Sequence, residues 1–421
     1  MRILLVNPAM KPTPGKKRWG FLAPLNLAII AALTPADCEV TILDENVEDI
    51  NLDFEADLIG ITAMTPQAPR AYYFAEEFKK RGKKVVLGGM HVSALPEEAL
   101  KFADSVCIGE AESYWKDLIL DFRKNNLKKI YRATNFPETL DIPIARRDLF
   151  SGKGYLFPNT LQTTRGCPHN CSFCAVSNFF GRTYRFRPIE DVLKEVSTFK
   201  DKMVVFVDDN ITASKKRAKQ LFKALIPYKI NWISQGSIEL ADDDELLELA
   251  AQSGCKGIFV GFESLIKKNL QEIGKKVNIS RVFEKAIKKI HSYKISLIGA
   301  FIFGFDGDDE TVFKKTVSFA KKMKIEVAQF GILTPLPGTN LFKRLKQEGR
   351  IFDFNWAHYD IAHVVFKTKT MAPQFLQEKF NQAYQRFYSL PSIFSRVGLF
   401  RQHSKYLLFA NFAFRKSFLS R

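Results

Sequence analysis

The sequence predicts an α/β protein built from two consecutive α/β domains and a small, mainly helical C-terminal domain. Two series of apolar, strand-like runs alternate with helical stretches, and a segment containing Pro137, Pro143 and Pro158 separates the two series. The chain has 421 residues, of which 46% are hydrophobic and 26% charged, enough to bury more than one core. We therefore expect domains at residues 1–135, 158–340 and 341–421, with a linker at 136–157.

The first series predicts an N-terminal doubly wound, Rossmann-like domain. Its strands are expected at residues 2–6, 40–43, 58–62, 85–87 and 106–108. Helical patterns such as 68–81 and 96–102 lie between them, and strands that alternate with helices form parallel sheets covered on both faces. In such sheets the ligand lies beyond the carboxyl ends of the strands.

The second series predicts a partial barrel of the TIM type. Its strands are expected at residues 160–164, 203–207, 232–234, 257–260, 295–303 and 327–333. Six strand–helix repeats are too few for a closed eight-stranded barrel. We therefore expect a (β/α)6 arrangement with one open side.

The most informative motif is Cys167-Pro-His-Asn-Cys171-Ser-Phe-Cys174, which follows the first strand of the second series. Three thiols on one loop can converge on one metal centre, and soft thiolates favour zinc or an iron–sulfur cluster. A structural zinc ion needs a fourth ligand, and His169 lies awkwardly between two of the cysteines. Three thiolates on a four-iron cluster leave one iron open for a substrate. The spacing favours the cluster, with a zinc knuckle as the alternative.

This loop resembles the CxxxCxxC loop of the radical S-adenosylmethionine (SAM) superfamily, whose aromatic residue before the last cysteine matches Phe173. The resemblance implies a [4Fe–4S] cluster on the three cysteines, with SAM chelating the open iron. In that superfamily an electron from the reduced cluster breaks a C–S bond of SAM and yields a 5′-deoxyadenosyl radical. The SAM contacts that the resemblance implies lie at the ends of predicted strands: Phe173, Asp208, Gln235, Ser237 and Glu263. The alternatives are a helix-terminal carboxylate for Glu263 and a solvated turn for Asp208.

The N-terminal domain is similar to the cobalamin-binding domain that precedes the barrel in one class of these enzymes. The similarity lies in loops that follow predicted strands and implies cobalamin contacts from Asn7, Thr62, Thr65, Gly88, Gly89, His91, Gly109 and Glu110. Paired glycines alone fit any nucleotide or a bare turn. The Asp-x-His-x-x-Gly element that ligates cobalt in other cobalamin domains is missing. We therefore expect His91 to be a loop hydrogen-bonding residue rather than a cobalt ligand, which leaves the lower ligand of cobalt open.

The C-terminal part is similar to that of hopanoid C-methylase-like members of the class, over residues 354–366 and 371–376. His358, Tyr359 and His363 are expected either to face a substrate or to be buried for structural reasons. Beyond residue 392, aromatic residues alternate with arginines and lysines; they are Phe394, Phe400, Tyr406, Phe409, Phe412, Phe414 and Phe418. This pattern is typical of a helix on an anionic membrane surface and equally of a helix packed on the barrel with a basic outer face.

The net charge of +18 favours an anionic partner, such as a nucleic acid, an acidic protein or a membrane surface. Nucleic acid is the weakest of these because no RNA-binding module accompanies the charge. The six cysteines are too few and too clustered for a disulfide framework, and the N-terminus lacks the features of a signal peptide. We therefore expect a cytoplasmic protein. If the C-terminal tail binds a membrane, the protein would contact the inner face of that membrane.

The resemblance implies a cobalamin-dependent radical SAM methyltransferase that C-methylates an unactivated carbon of an apolar, hopanoid- or isoprenoid-type lipid. An acidic flavodoxin or ferredoxin would donate the electron and suits the positive charge. Three alternatives remain. The first is a non-methylating rearrangement or cyclisation of a tetrapyrrole-type substrate. The second is RNA methylthiolation, for which the N-terminal domain lacks the cysteines of a further cluster. The third is a cobalamin sensor without catalysis.

Overall fold

The structure is a computed structural model that describes residues 1–11, 20–133, 136–137, 139–279, 282–398 and 404–419. The predicted fold class is confirmed: a doubly wound domain is followed by an open parallel barrel and a mainly helical C-terminal region. No helix among these residues is long and apolar enough to span a bilayer.

The first domain contains a six-stranded parallel sheet in the order β3-β1-β4-β5-β6-β7. The strands up to this point in the chain are β1 (Arg2–Asn7), β2 (Gly20–Leu22), β3 (Glu39–Asp44), β4 (Leu58–Thr62), β5 (Lys84–Gly88), β6 (Ser105–Ile108) and β7 (Ile130–Arg132). The helices are α1 (Leu25–Leu33), α2 (Ala68–Lys80), α3 (Met90–Ala94), α4 (Pro96–Ala99) and α5 (Trp115–Arg123). All five predicted strands are present, and β7 adds a sixth.

This sheet is covered on both faces because its strands are apolar on both sides. In β1, Ile3 and Leu5 pack into one hydrophobic core, whereas Leu4 and Val6 pack into a second core across the sheet. Continuous apolar strands of this kind form parallel sheets, since helices then cover both faces.

The second domain is an open sheet of six parallel strands in the order β16-β15-β14-β13-β12-β9. The remaining strands are β8 (Tyr155–Phe157), β9 (Thr160–Leu161), β10 (Thr164–Gly166), β11 (Tyr184–Phe186), β12 (Met203–Phe206), β13 (Asn231–Gly236), β14 (Cys255–Glu263), β15 (Ser296–Phe303) and β16 (Val327–Ile332). The helices are α6 (Val176–Phe179), α7 (Ile189–Ser197), α8 (Lys215–Leu225), α9 (Asp244–Gln252), α10 (Lys267–Glu272), α11 (Lys276–Ile279), α12 (Phe283–Ser292) and α13 (Val312–Lys322).

The strand predicted at residues 160–164 is wrong in one respect, because the structure splits it into β9 and β10. Thr163 lies between the two parts, and its backbone N–H donates to Asp208 Oδ1 over 2.6 Å, while its hydroxyl donates to Oδ2 of the same carboxylate. The Asp208 carboxylate thus takes the place of the backbone hydrogen bonds that would continue the pairing of β9 with β12, so the chain leaves the sheet after β9. It then pairs antiparallel with β11 instead. The change of direction brings the cysteine motif to the end of the barrel where the carboxyl ends of the strands lie, which we call the top of the barrel.

The C-terminal region covers the open edge of the barrel sheet. It contains α14 (Asn340–Gln347), α15 (Pro373–Phe387), α16 (Leu390–Val397) and α17 (Ser404–Leu419). From the end of α15, the Tyr384 and Tyr388 hydroxyls donate to the carbonyls of Phe330 and Ala328 in β16, over 2.6 and 2.7 Å. Side chains therefore occupy acceptors that a further strand would use, which protects this edge of the sheet.

The basic tail packs on the barrel. The guanidinium of buried Arg396 donates to the carbonyls of Ile325 and Glu326 and to Asn411 of α17. One side of α17 nevertheless stays open, with Tyr406 78% and Phe409 59% exposed. Phe400 of the predicted membrane-binding pattern, and the side chain of Phe418, lie outside the described residues.

Candidate active site

The carboxyl edges of the two sheets meet through a buried ion-pair network. Glu110, in the loop after β6, is 9% exposed and accepts hydrogen bonds from two arginines of the second domain. Arg165 Nη1 lies 2.6 Å from Glu110 Oε2, and Arg185 contacts both carboxylate oxygens. Arg165 also donates to Glu112. We refer to these four residues as the interdomain network. Glu110, which we predicted as a cobalamin contact, thus binds the barrel.

The cysteine loop lies directly beside this network, and its backbone is held from three directions. The N–H of Gly166 donates to Asp209 Oδ2 over 2.9 Å, and the N–H of Ser172 donates to the carbonyl of Ile273 over 3.0 Å. The carbonyl of Ser172 in turn accepts from Leu341, 2.9 Å away. Gly166 has a φ of +85°, and a Cβ there would lie 2.2 Å from a backbone oxygen, so the loop requires glycine at its start.

The three cysteines of this loop are free thiols in a largely buried setting. Burial raises the pKa of Cys171 to about 11 and that of Cys174 to about 12, so both thiols are protonated at neutral pH when no metal is bound. A metal centre replaces such protons, since metals bind the thiolate form. Among the described residues, no three His, Cys, Asp or Glu side chains lie close enough together to hold a single metal ion. A four-iron cluster differs from a single ion because each thiolate binds its own iron, and three soft donors on one loop suit it.

Lys275 is a functional candidate that the sequence analysis missed. Its ammonium lies 3.0 Å from the buried carboxylate of Glu263. Burial raises the pKa of Cys167 and that of Cys171, and the charge of Lys275 offsets part of this rise. Burial lowers the pKa of Lys275 itself, but Glu263 and Cys171 raise it by more, so the lysine is cationic. The residue lies in a lysine-containing stretch with no distinguishing pattern, so the sequence held no signal for it.

Glu263 ends β14 at a bulge and has the left-handed φ of +63°, which turns its side chain toward Lys275 and the cysteine loop. Of the other predicted SAM contacts, Asp208 is turned toward Thr163 and holds the strand that leads into the loop. Burial raises the pKa values of Asp208 and Asp209 to about 6 each. Both acids therefore position the cysteine loop through hydrogen bonds.

The remaining predicted SAM contacts divide into two kinds. Phe173 is half-buried and packs against the barrel core. Ser237 caps a short 3-10 turn, with its backbone N–H donating to Thr212 Oγ1 over 2.9 Å. Gln235 is exposed at the carboxyl end of β13. Only Gln235 among these three presents an open polar side chain.

Most of the predicted cobalamin contacts lie together at the carboxyl edge of the first sheet. Asn7, Thr62 and Gly88 are the last residues of β1, β4 and β5, and Gly109 follows β6. The strand order reverses between β1 and β4, and ligands of doubly wound sheets bind in the crevice at such a reversal. Gly89 has a φ of +102°, and a Cβ there would lie 2.6 Å from the Ala63 carbonyl oxygen. The loop after β5 therefore requires glycine at this position in order to pack against Ala63.

His91 lies below this edge and is buried. Its Nδ1 lies 3.4 Å from Thr65 Oγ1, and its Nε2 lies 3.3 Å from Glu98 Oε1. Burial lowers the pKa of His91, so the ring is neutral. Both ring nitrogens face protein groups, an arrangement that holds the loop and leaves neither nitrogen open to a metal.

Comparison with known proteins finds a separate family model for each of the two α/β domains. The family model described as "Radical SAM superfamily" matches residues 161–320, and that described as "B12 binding domain" matches residues 16–119. The chain is 34% identical to the bacteriochlorophyllide d C-12(1)-methyltransferase of Chlorobaculum tepidum, over 94% of this chain and 89% of that relative. It is 26% identical to the hopanoid C-2 methylase of Rhodopseudomonas palustris, over 79% and 66%. The structure of the methyltransferase TsrM from Kitasatospora setae, with cobalamin and a [4Fe–4S] cluster bound, has the same fold. It gives a TM-score of 0.73 at 14% identity and covers 100% of this chain and 99% of that one.

Proposed function

The chain belongs to the cobalamin-dependent radical SAM methyltransferases, and from this premise we propose that it methylates an unactivated carbon of a chlorin-type tetrapyrrole. Its cofactors are a [4Fe–4S] cluster, SAM and cobalamin. When bound, they supply the power to abstract hydrogen from carbon and the methyl group that replaces it.

The protein's own part in this reaction is to hold the cofactors and to orient them toward the substrate. Cys167, Cys171 and Cys174 would ligate the cluster, and Asp208 and Asp209 fix the backbone that carries them. The Lys275–Glu263 pair places a buried cation and a buried carboxylate beside these thiols, where they suit the charged ends of an amino acid. Asn7, Thr62, Gly88, Gly89 and Gly109 line the edge proposed to receive cobalamin.

One observation carries the proposal: the interdomain network joins the loop after β6 to the strand that leads into the cysteine motif. Arg165 lies two residues before Cys167, and its partner Glu110 lies at the edge proposed for cobalamin. A methyl donor and a hydrogen-abstracting centre must both reach one substrate carbon, which requires that their sites share one cleft. Buried ion pairs are a rigid means of fixing that distance.

The choice of a chlorin over a hopanoid is supported by the relatives. The bacteriochlorophyllide methyltransferase matches almost end to end, whereas the chain spans about two thirds of the hopanoid methylase at lower identity. A chlorin is a large, apolar ring whose saturated side chains offer no acidic proton, so radical abstraction suits it. Cyclisation of a tetrapyrrole, the alternative named above, would need no methyl donor.

The test is anaerobic reconstitution with iron, sulfide and hydroxocobalamin, followed by incubation with SAM, a reductant and a magnesium chlorin. Methylated chlorin is expected, together with both S-adenosylhomocysteine and 5′-deoxyadenosine. Cys171→Ala should abolish 5′-deoxyadenosine formation, while Cys255→Ala, which removes a buried thiol outside the loop, should retain it. Formation of 5′-deoxyadenosine alone, with a cyclised chlorin, would overturn the methylation proposal, and an unreactive chlorin would overturn the substrate class.

A lipid substrate remains a second candidate because α17 exposes aromatic side chains beside lysine and arginine. Deleting the tail would not test it, since Arg396 and Asn411 anchor the barrel edge. The exposed ring of Tyr406 can instead be changed to serine together with that of Phe409. Weaker partitioning of this double variant onto anionic vesicles, with unchanged thermal stability, would support membrane contact, and equal partitioning would remove it.

The electron donor is proposed to be a small acidic protein of the flavodoxin or ferredoxin type. The net charge of +18 favours such a partner, and attraction between opposite charges speeds encounter and weakens with salt. The rate of cluster reduction by flavodoxin should therefore fall as ionic strength rises. Reduction that is independent of salt would argue against an electrostatic encounter.

A further inference from the structure

A segment of the C-terminal region, residues 353–363, bridges the carboxyl edges of the two sheets, and we call it the bridging segment. At the barrel, the N–H of Ile332, the last residue of β16, donates to the carbonyl of Ile361 over 2.7 Å. At the first domain, Lys11, in the loop after β1, lies 3.6 Å from Asp360. Trp356 donates to Glu98 over 2.9 Å. The bridging segment therefore lies where the two proposed cofactor sites meet.

Two histidines of this segment are each oriented by a carboxylate. His358 Nδ1 lies 2.6 Å from Asp353 Oδ2, and His363 Nδ1 lies 2.8 Å from Asp360 Oδ1. Each carboxylate accepts a hydrogen bond from the Nδ1–H of its histidine, so Nε2 is the ring nitrogen that is left to bind a metal in the neutral tautomer. The two rings stack with centroids 5.0 Å apart, and the side chains are 41% and 38% exposed.

This arrangement is typical of a metal-binding histidine, because an imidazole that binds a metal through one nitrogen usually donates a hydrogen bond from the other nitrogen to a carboxylate. Within the described part of the chain, however, the two histidines belong to no group of three or more His, Cys, Asp or Glu side chains that could hold a metal ion. A metal that arrives inside a macrocycle already has four nitrogen ligands and needs one more. A chlorin brings its metal in that state.

We propose that the His358–His363 pair supplies the axial ligand to the central metal of a metallochlorin substrate. The inference rests on the substrate class of the proposed function. One axial bond fixes the plane of the ring against the bridging segment, so that rotation about this bond is the main freedom left. The bridging segment contacts both domains at the carboxyl edges of their sheets, where a peripheral carbon of the ring must lie for methylation.

Zinc chlorin is the probe, since imidazole is a good ligand for zinc and the axial bond changes the absorption bands of the ring. Holoenzyme is titrated with zinc chlorin and with the metal-free chlorin, in wild-type form and as the His358→Ala/His363→Ala double variant. The wild type should bind the zinc chlorin on the order of tenfold more tightly than the metal-free ring and show the five-coordinate spectrum. The double variant should lose both differences and keep its affinity for the metal-free ring.

The control variant is His291→Ala, which removes another carboxylate-paired imidazole. His291 Nε2 lies 3.2 Å from Glu326, which precedes β16 and so lies at the opposite end of that strand. This variant should behave as the wild type. Added imidazole should restore the five-coordinate spectrum to the double variant, which separates loss of a ligand from loss of folding.

The outcomes distinguish this inference from the proposed function. Equal binding of zinc and metal-free chlorins by the wild type, with methylation intact, would overturn the axial ligand and leave the proposed function standing. Failure to bind either chlorin would overturn both. A five-coordinate spectrum that survives in the double variant would place the ligand elsewhere and overturn the role of this pair.

Discussion

Replacing Glu110 by glutamine should uncouple the cleavage of SAM to 5′-deoxyadenosine from the transfer of the methyl group to the substrate. The carboxylate is 9% exposed and accepts hydrogen bonds from Arg165 and Arg185, which are themselves buried. Glutamine keeps the shape of the side chain but removes its charge and turns an amide N–H toward one arginine. Arg165 would retain Glu112, whereas Arg185 would lose its carboxylate partner.

The size of the effect follows from the burial of these groups. Removing one partner from a buried ion pair destabilises a protein by about 3–5 kcal/mol, because the remaining charge is left uncompensated. Glutamine still accepts one hydrogen bond, so we expect a loss of about 3 kcal/mol in the free energy of unfolding. Glu112→Gln is the matched control. Its carboxylate is 20% exposed and, among the described residues, pairs with Arg165, so a loss of at most about 1 kcal/mol is expected.

The assays are denaturant unfolding, cobalamin binding and the ratio of the two nucleoside products. With Glu110→Gln, the edge of the first sheet is free to shift relative to the cysteine loop. Misplacement of reacting groups by about 1 Å can slow a reaction on the order of a hundredfold. Methylated product should therefore fall far more than 5′-deoxyadenosine, while Glu112→Gln keeps their ratio. A Glu110→Gln protein with wild-type stability and an unchanged product ratio would refute the idea that this network sets the distance.

Two further predictions concern a glycine and an acid. Gly89→Ala should weaken cobalamin binding and lower stability by about 1–3 kcal/mol, since its φ of +102° and ψ of −178° suit only glycine and its Cβ would meet Ala63. Gly82→Ala, where φ is +72° with open space around it, should cost stability but keep cobalamin affinity, and equal affinity in both variants would contradict the argument. Burial raises the pKa of Asp308 to about 6, so the folded state holds a proton that the unfolded state releases near pH 4. Its contribution to the free energy of unfolding should thus be full below about pH 4 and fall by about 3 kcal/mol as the pH rises to 6. Asp308→Asn should lack this slope in denaturant titrations at several pH values, and a slope shared by both proteins would assign it to another group.

The sequence predicted the parallel strands well because each contains a run of apolar residues, and at least one face of the strand is buried. The strand predicted at residues 58–62 matches β4 at both ends, and the other predicted strands that lie within a sheet differ by a few residues. β10 and β11 were missed as a pair because their sequences, Thr-Arg-Gly and Tyr-Arg-Phe, have no apolar pattern. Their arginines are buried only because Glu110 arrives from another domain, and no local pattern encodes that meeting.

The same distinction explains which parts of the site could be predicted. The three cysteines proposed to hold the cluster could be found from the sequence because they lie on one loop, and their spacing together with their position after a strand favours a cluster. Lys275 and the interdomain network depend on which loops meet in space. Asp208 is an intermediate case: its position after β12 predicted that it lies at the carboxyl end of the barrel strands, but its partner Thr163 lies just beyond the neighbouring strand β9. Position along a strand therefore predicts where a side chain lies, whereas its partner decides whether it binds a ligand or the protein.

The two proposed cofactor sites are built from two kinds of group. The groups that touch cofactors in the proposal are few and local, whereas the groups that hold the distance between the two sites are charged, buried and drawn from separate domains. Arg165 joins the two kinds, because it lies two residues before Cys167 and binds the loop after β6. A change in substrate can then be accommodated in the bridging segment without moving either cofactor. Variation among relatives with different substrates should accordingly fall on residues such as His358 and His363 more than on Arg165 or Glu110.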